Sequence, residues 1–240
     1  MVLFAQKQNL NVVYIGDSIT QGGQLNDPGT EAAPAIASAW LRMQRVIGKV
    51  EFSNQGVSGF TTVDFLPSTN TIFPRVDVAA KAFNDKQATL VFSIMLGTND
   101  SASEGPDGSP VSAEQYHDNL KVIIDSLLKD FPNCKIIIQR PLWYSPNTYN
   151  SSRYLQEGLN RLQSYFPQID ELTAEYAITK PKQVFAADRK AFDYFREHYL
   201  TDLKPEPGRQ GTFYLHPNKK GAEVLGSYWG SAIYKMISRN

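Results

Sequence analysis

Short apolar runs alternate along this chain with longer segments in which apolar residues recur at helical spacing. Strands are predicted over residues 12–15, 50–53, 89–96, 135–139 and 183–187. Helices are predicted over residues 31–47, 76–83, 112–131, 153–176 and 218–237. Strands that alternate with helices indicate a parallel sheet with helices on both faces. Because 240 residues suffice for one core, we expect an α/β fold: a single-domain three-layer α/β/α sandwich with a parallel sheet of about five strands.

The charge balance and the apolar runs argue against several classes of protein. Lys and Arg number 24 and Asp and Glu number 24, so the chain lacks the positive charge that nucleic-acid binding needs. No apolar stretch approaches the length of a transmembrane helix. No metal-ligand spacing links His117 and His198 to His216, and no glycine loop could hold a phosphate. We therefore expect no nucleic-acid partner, no membrane span, no metal and no other cofactor.

The first ten residues differ in character from the predicted domain, which we place at residues 11–240. They begin with MVLFAQKQ, which resembles the end of a signal peptide near its cleavage site. The apolar part is too short to work as a signal, and no basic residues precede it. We interpret residues 1–10 as a tail, either the remnant of an export signal or a frayed start. Of these we expect the first, which predicts a periplasmic or extracellular protein; the second predicts a cytoplasmic one.

Small and polar residues follow the predicted strands, where parallel sheets place their functional groups. The segments in question are Gly16-Asp17-Ser18, Asn54-Gln55-Gly56-Val57-Ser58-Gly59, Gly97-Thr98-Asn99-Asp100 and, before the last helix, His216-Pro217. The carboxyl ends of parallel strands meet at one edge, so these segments are expected to lie together. A serine there becomes a useful nucleophile only beside a base, and histidine is the usual one.

These four segments resemble the four sequence blocks of the SGNH hydrolases, the GDSL family of esterases and lipases, in the family's order and over essentially the whole chain. The resemblance implies a flavodoxin-like SGNH fold, with Ser18 as nucleophile and His216 as base. It implies an oxyanion hole formed by Ser18, Gly56 and Asn99. The residues expected to support these motifs are Gly16, Asp17 and Asp100. The chain has no Gly-x-Ser-x-Gly, so it lacks the nucleophile elbow of the α/β-hydrolases.

One position departs from the family's pattern. The family usually has an aspartate three residues before the histidine, and Phe213 stands there in this chain. Three outcomes are open: a backbone carbonyl holds His216 and gives a Ser-His dyad, a carboxylate from elsewhere substitutes, or the site is inactive. Of these we expect the dyad, because a carbonyl still fixes the tautomer of the imidazole. The candidate substitute carboxylates are Asp188, Asp202 and Glu206.

The segment after the fourth predicted strand reads RPLWYSPNTYNSSRY over residues 140–154. It is either a packed loop with buried aromatic residues or a substrate-binding wall, since aromatic faces stack on sugars and arginine pairs with carboxylates. The second interpretation makes Arg140, Trp143, Tyr144 and Arg153 candidate substrate-binding residues. Residues 204–211 would then form the opposite lip.

These features predict a serine esterase that hydrolyses small acyl esters, with acetyl expected, on a small-molecule or glycan substrate. The acetyl group follows from the resemblance to the carbohydrate-active branch of the family. An O-acetylated acidic sugar such as sialic acid would use Arg140 or Arg153 as its carboxylate partner. The alternatives are a lysophospholipase or thioesterase of the same family, and a catalytically silent sugar-binding module. No oligomeric state is predicted.

Overall fold

The computed structural model describes residues 7–238. Its centre is a parallel sheet in the order β2-β1-β3-β4-β5. The strands are β1 (Gln8–Gly16), β2 (Ile47–Gly56), β3 (Thr89–Met95), β4 (Lys135–Ile138) and β5 (Val184–Ala186). The expected α/β fold with five parallel strands is therefore confirmed. Gly16 pairs with Gly56 on one side and Met95 on the other, so β2, β1 and β3 end at the same level.

Helices cover both faces of this sheet. They are α1 (Ser18–Gln21), α2 (Pro28–Glu31), α3 (Ala33–Arg42), α4 (Phe73–Ala82), α5 (Ala113–Asp130), α6 (Leu155–Thr179), α7 (Lys190–Asp202) and α8 (Lys219–Ile237). Side chains of a strand point alternately to opposite faces. Val12 and Tyr14 of β1 accordingly pack with α3, α7 and α8, while Val13 and Ile15 pack with α4 and α5; α6 contributes to both cores.

An antiparallel hairpin follows α7, formed by β6 (Leu203–Gly208) and β7 (Gly211–Pro217). Neither α7 nor the two strands of the hairpin were predicted from the sequence. Pro205 and Pro207 hide β6, because proline within a run argues against a strand unless the strand lies at an edge. The omission matters because β7 carries His216.

The largest differences between predicted and observed boundaries are at the end of the first predicted helix and at the start of the first predicted strand. The helix predicted over residues 31–47 ends at Arg42, and Ile47 already belongs to β2. β1 begins at Gln8, so the ordered domain starts before residue 11. Residues 1–6 of the predicted tail lie outside the described residues.

The described residues contain neither a helix that could span a membrane nor a group of side chains that could bind a metal ion. Over residues 7–238 every helix is too short or too polar to cross a bilayer. Within the same residues, no three His, Cys, Asp or Glu side chains are grouped so that they could hold a metal ion.

Candidate active site

Ser18 stands directly at the carboxyl end of the sheet. β1 ends at Gly16, and Ser18 is the first residue of α1. Between them the buried Asp17 caps the helix, because its Oδ1 accepts the N–H of Ile19 at 2.9 Å. Burial raises the pKa of the Asp17 carboxyl. A Cβ at Gly16 would lie 2.7 Å from the carbonyl oxygen of Met95, so this turn needs glycine. As the first helical residue, Ser18 has no intrahelical acceptor for its own N–H.

The hairpin brings His216 to Ser18. Ser18 Oγ lies 2.9 Å from His216 Nε2, within hydrogen-bond distance. On the other side of the ring, His216 Nδ1 lies 2.8 Å from Oε1 of Glu206. The same oxygen accepts the backbone N–H of His216 at 3.3 Å. The three side chains therefore form a continuous hydrogen-bonded row of hydroxyl, imidazole and carboxylate.

The expected Ser-His dyad is therefore wrong for this structure, because Nδ1 of His216 contacts a carboxylate and not a backbone carbonyl. Of the three candidate carboxylates, only Glu206 contacts the imidazole. Asp202 is buried among Tyr194, Thr201 and Lys220. Asp188 accepts the backbone N–H at position 190.

Asn99 follows β3, and its side-chain amide is fixed in orientation. Its Oδ1 accepts the hydroxyl of Tyr154 at 2.7 Å. Its Nδ2 donates to the carbonyl of Phe60 at 2.9 Å. A side-chain amide carries two N–H donors, so one remains for another acceptor.

Gly56 has a different role from the predicted one. Its N–H already donates to Oδ1 of Asn54 at 3.0 Å, so this glycine does not offer the oxyanion donor expected of it. A Cβ at Gly56 would lie 2.4 Å from the backbone nitrogen of Gln21. Glycine at position 56 therefore allows the end of β2 to pack against α1.

Gly59 was not predicted as a site residue, yet the structure places its N–H better than that of Gly56 for donating a hydrogen bond. Its φ is +81°, and a Cβ there would meet no atom within 4 Å. Among the described residues its N–H has no hydrogen-bond partner. The turn that contains it is tied to α1 through Ser58, whose N–H donates to Oε1 of Gln21 at 2.9 Å, and to Asn99 through Phe60. Both glycines belong to the same motif, and only the backbone conformation separates their roles.

Asp100 holds the segment after this turn. The carboxyl is fully buried, and its Oδ1 accepts both the backbone N–H and the hydroxyl of Thr62. Asn119 Nδ2 donates to the same hydroxyl at 2.9 Å. Burial raises the pKa of Asp100 to about 6. Asp100 therefore supports the site from inside the protein.

Three of the four predicted substrate-binding residues are structural. Arg140 is only 8% exposed, and its guanidinium donates to the carbonyls of Phe166 and Ala187 and pairs with Asp170. Trp143 and Tyr144 are buried in the core with their neighbours. For these residues the packed-loop interpretation is right, because aromatic content alone does not distinguish a buried wall from an exposed one.

Arg153 reaches the surface, where its side chain is 39% exposed and pairs with Glu104 at 3.1 Å. A second arginine, Arg209 in the turn of the hairpin, was not predicted as a site residue. Its guanidinium lies 4.9 Å from the centre of the Tyr149 ring and donates to the Tyr149 hydroxyl at 3.1 Å. No carboxylate of residues 7–238 forms an ion pair with Arg209. Residues 204–211 thus contact the 140–154 loop.

Comparisons with known proteins agree with this fold. A family model described as the GDSL-like lipase/acylhydrolase family matches residues 14–224. No curated protein matches the sequence. Among solved structures, a lipolytic G-D-S-L family protein from Veillonella parvula DSM 2008 has a TM-score of 0.58 at 18% identity, covering 94% of this chain and 98% of that one.

Two further solved structures are similar. Est24, a carbohydrate acetylesterase from Sinorhizobium meliloti, has a TM-score of 0.62 at 16% identity over 94% of this chain and 99% of that one. A lipase/acylhydrolase from Enterococcus faecalis has a TM-score of 0.60 at 19% identity over 94% and 95% of the two chains. At these identities the likeness shows a shared fold.

Proposed function

The chain belongs to the GDSL-like lipase/acylhydrolase family and is an ester hydrolase, and from this premise we propose that it removes acetyl groups from carbohydrates through a serine nucleophile. The observation that carries the proposal is the row of Ser18, His216 and Glu206, joined by contacts of 2.9 and 2.8 Å. A carboxylate next to the imidazole holds the tautomer whose free Nε2 accepts the serine proton. It also stabilises the imidazolium that forms.

The proposed reaction has two steps. Ser18 Oγ attacks the ester carbonyl while His216 Nε2 takes its proton, and the protonated imidazole then releases the proton to the leaving sugar hydroxyl. Water hydrolyses the acyl-serine by the same route in reverse. The negative charge on the tetrahedral oxygen is stabilised by the N–H groups of Ser18 and Gly59 and by the amide of Asn99. Loss of one such donor costs roughly 3–4 kcal/mol of transition-state stabilisation.

The carbohydrate part of the proposal draws on a structural neighbour and on an exposed surface at the turn of the hairpin. Est24 is a carbohydrate acetylesterase, and its fold covers 94% of this chain. The exposed Arg209, in the turn of the hairpin that carries Glu206 and His216, provides a cation, and the Tyr149 ring of the 140–154 loop beside it provides an aromatic face. For an acetylated acidic sugar, Arg209 replaces Arg140 as the proposed carboxylate partner, because the guanidinium of Arg140 is already satisfied. Replacing Arg209 with Gln should raise KM for such a sugar and leave turnover of a neutral acetyl ester unchanged.

Hydrolysis of p-nitrophenyl acetate by the wild-type protein and by Ser18→Ala tests the serine mechanism. We expect turnover that the substitution abolishes, whereas Ser227→Ala, a change at a half-buried serine of α8 whose hydroxyl donates to the carbonyl of Glu223, should keep it. Equal activity of Ser18→Ala and the wild type would overturn the proposal. Sugar binding without turnover would favour the silent module, and preference for long acyl chains would favour the lysophospholipase.

A further inference from the structure

A small cavity lies directly beside the nucleophile and the base. Its volume is about 10 Å³, and Ser18 and His216 form one wall. The remaining wall is mostly apolar and includes Leu25, Ala33 and Leu225. A cavity needs roughly 10–15 Å³, measured by a water-sized probe, to hold one water molecule. This space therefore accepts one group of about the size of a methyl.

Most of the apolar wall is fixed by the protein core. Ala33 at the start of α3 and Leu225 in α8 are both buried, and the two helices pack against each other. Enlarging the cavity on that side would require the helices to separate. Leu25 differs because it is half-buried and lies on the loop between α1 and α2, next to the exposed Gln24 that also lines the cavity.

The loop that carries Leu25 is itself held in place. The N–H of Leu25 donates to the carbonyl of Gly22 at 2.9 Å. Lys204 Nζ donates to the carbonyl of Gln24 at 2.7 Å, which ties the loop to β6. Asp27 then caps α2 by accepting the N–H of Gly29 and the hydroxyl of Thr30. The position of the Leu25 side chain is therefore set by contacts on both sides of it.

We infer that this cavity receives the methyl group of the substrate's acetyl and that Leu25 sets the upper limit of acyl length. The inference rests on the proposed function, since it assigns a place to the acyl group bound to Ser18. A propionyl or butyryl chain would have to displace the Leu25 side chain or leave its additional methylene groups in water. One methylene in a tight apolar pocket changes kcat/KM by about 10-fold or more.

A series of p-nitrophenyl esters from acetate to octanoate tests this assignment on the wild type, Leu25→Val and Leu25→Ala. The wild type should prefer acetate to butyrate in kcat/KM by at least about tenfold. The ratio of butyrate to acetate should then rise from wild type to Val and further to Ala, by about tenfold at Ala. Leu200→Ala is the matched control, because Leu200 is 65% exposed on α7 and does not line the cavity, and its ratio should equal that of the wild type.

The outcomes separate the inference from the proposed function. Acetate hydrolysis with the same ester preference in all three Leu25 forms would overturn the role of Leu25 and leave the serine mechanism standing. Equal use of octanoate and acetate by the wild type would overturn the assignment of the cavity. No hydrolysis of any ester by the folded wild-type protein would overturn both.

Discussion

Glu206 is the in-register partner of Phe213 across the β6–β7 hairpin. Phe213 occupies the position, three residues before His216, where the resemblance to the SGNH hydrolases led us to expect an aspartate. The residue facing it supplies the carboxylate instead, and the phenyl ring is buried in the core. Antiparallel partners on one face lie about 5 Å apart, so a longer glutamate on the opposite strand reaches the same imidazole nitrogen. The carboxylate thus comes from β6 in place of β7, and it still contacts the imidazole of His216.

This arrangement predicts a large loss of activity in Glu206→Gln. The amide has nearly the shape of the carboxylate but carries no charge, so it neither stabilises the imidazolium nor selects the productive tautomer. By analogy with removal of the acid from a Ser-His-Asp triad, kcat for p-nitrophenyl acetate should fall by about 10²–10⁴-fold. Asp188→Asn is the matched control, because Asp188 makes no contact with His216, and it should keep wild-type kcat. Full activity of Glu206→Gln would contradict a role for the carboxylate and support a Ser-His dyad.

The strands were predictable because residues buried on both faces of a parallel sheet form nearly continuous apolar runs. The starts of two helices were also predictable, because the side chains of Ser112 and Asn218 cap α5 and α8. The pairing of β6 with β7 was not predictable, because Pro205 and Pro207 argue against a strand in this segment. Identifying Glu206 as the partner of His216 therefore required the register of the hairpin, which depends on tertiary contacts that the local sequence does not show.

Burial was the second property that local sequence did not provide. Arg140 and Trp143 follow a strand in a segment of the composition expected of a sugar-binding wall, yet both lie inside the protein. Sequence also could not distinguish Gly56 from Gly59, because the distinction is a backbone angle and a free N–H. The residue types were therefore predictable at the strand ends, whereas the direction of each group was not.

The two glycines should respond differently to alanine. Gly56→Ala should lower the free energy of unfolding by about 1–3 kcal/mol, because its Cβ would lie 2.4 Å from the backbone nitrogen of Gln21. Gly59→Ala has space for its methyl but strains a residue at φ +81°, and relaxation would turn its N–H away from the substrate. Its kcat should therefore fall at least about tenfold, and at most by the roughly 10²–10³-fold expected for loss of a whole oxyanion donor. Urea unfolding and p-nitrophenyl acetate kinetics measure the two effects, and wild-type kcat in Gly59→Ala would contradict the assignment.

Tyr154→Phe tests whether the orientation of Asn99 matters for turnover. The substitution removes the hydroxyl that donates to Asn99 Oδ1 at 2.7 Å, and the amide is then held only by its bond to the carbonyl of Phe60. We expect kcat to fall by about tenfold with little change in KM, less than the roughly 10²–10³-fold expected for Asn99→Ala. Tyr144→Phe is a close control, because it deletes another buried hydroxyl, bonded to Ser101 Oγ at 2.9 Å. Both variants should lose about 1–2 kcal/mol of stability, and equal kcat values in the two would refute a positioning role for Tyr154.

Asp100 should make the fold less stable as the pH rises. Its pKa is raised by burial from 3.8 to about 6, and its Oδ2 has no partner among the described residues. A carboxyl with a raised pKa binds its proton more tightly in the folded state, so its stabilising contribution is complete below pH 3.8 and is lost as the pH rises through 6. Between about pH 4 and 7 this loss amounts to about 2 kcal/mol. Asp100→Asn keeps an acceptor for Thr62 without the titrating proton, so its unfolding free energy should fall by that much less over the same interval. Urea titrations at the two pH values measure the difference. Asp130→Asn, at an exposed residue, is the control for the change of charge. Parallel pH profiles for the wild type and Asp100→Asn would show that Asp100 does not titrate in this range.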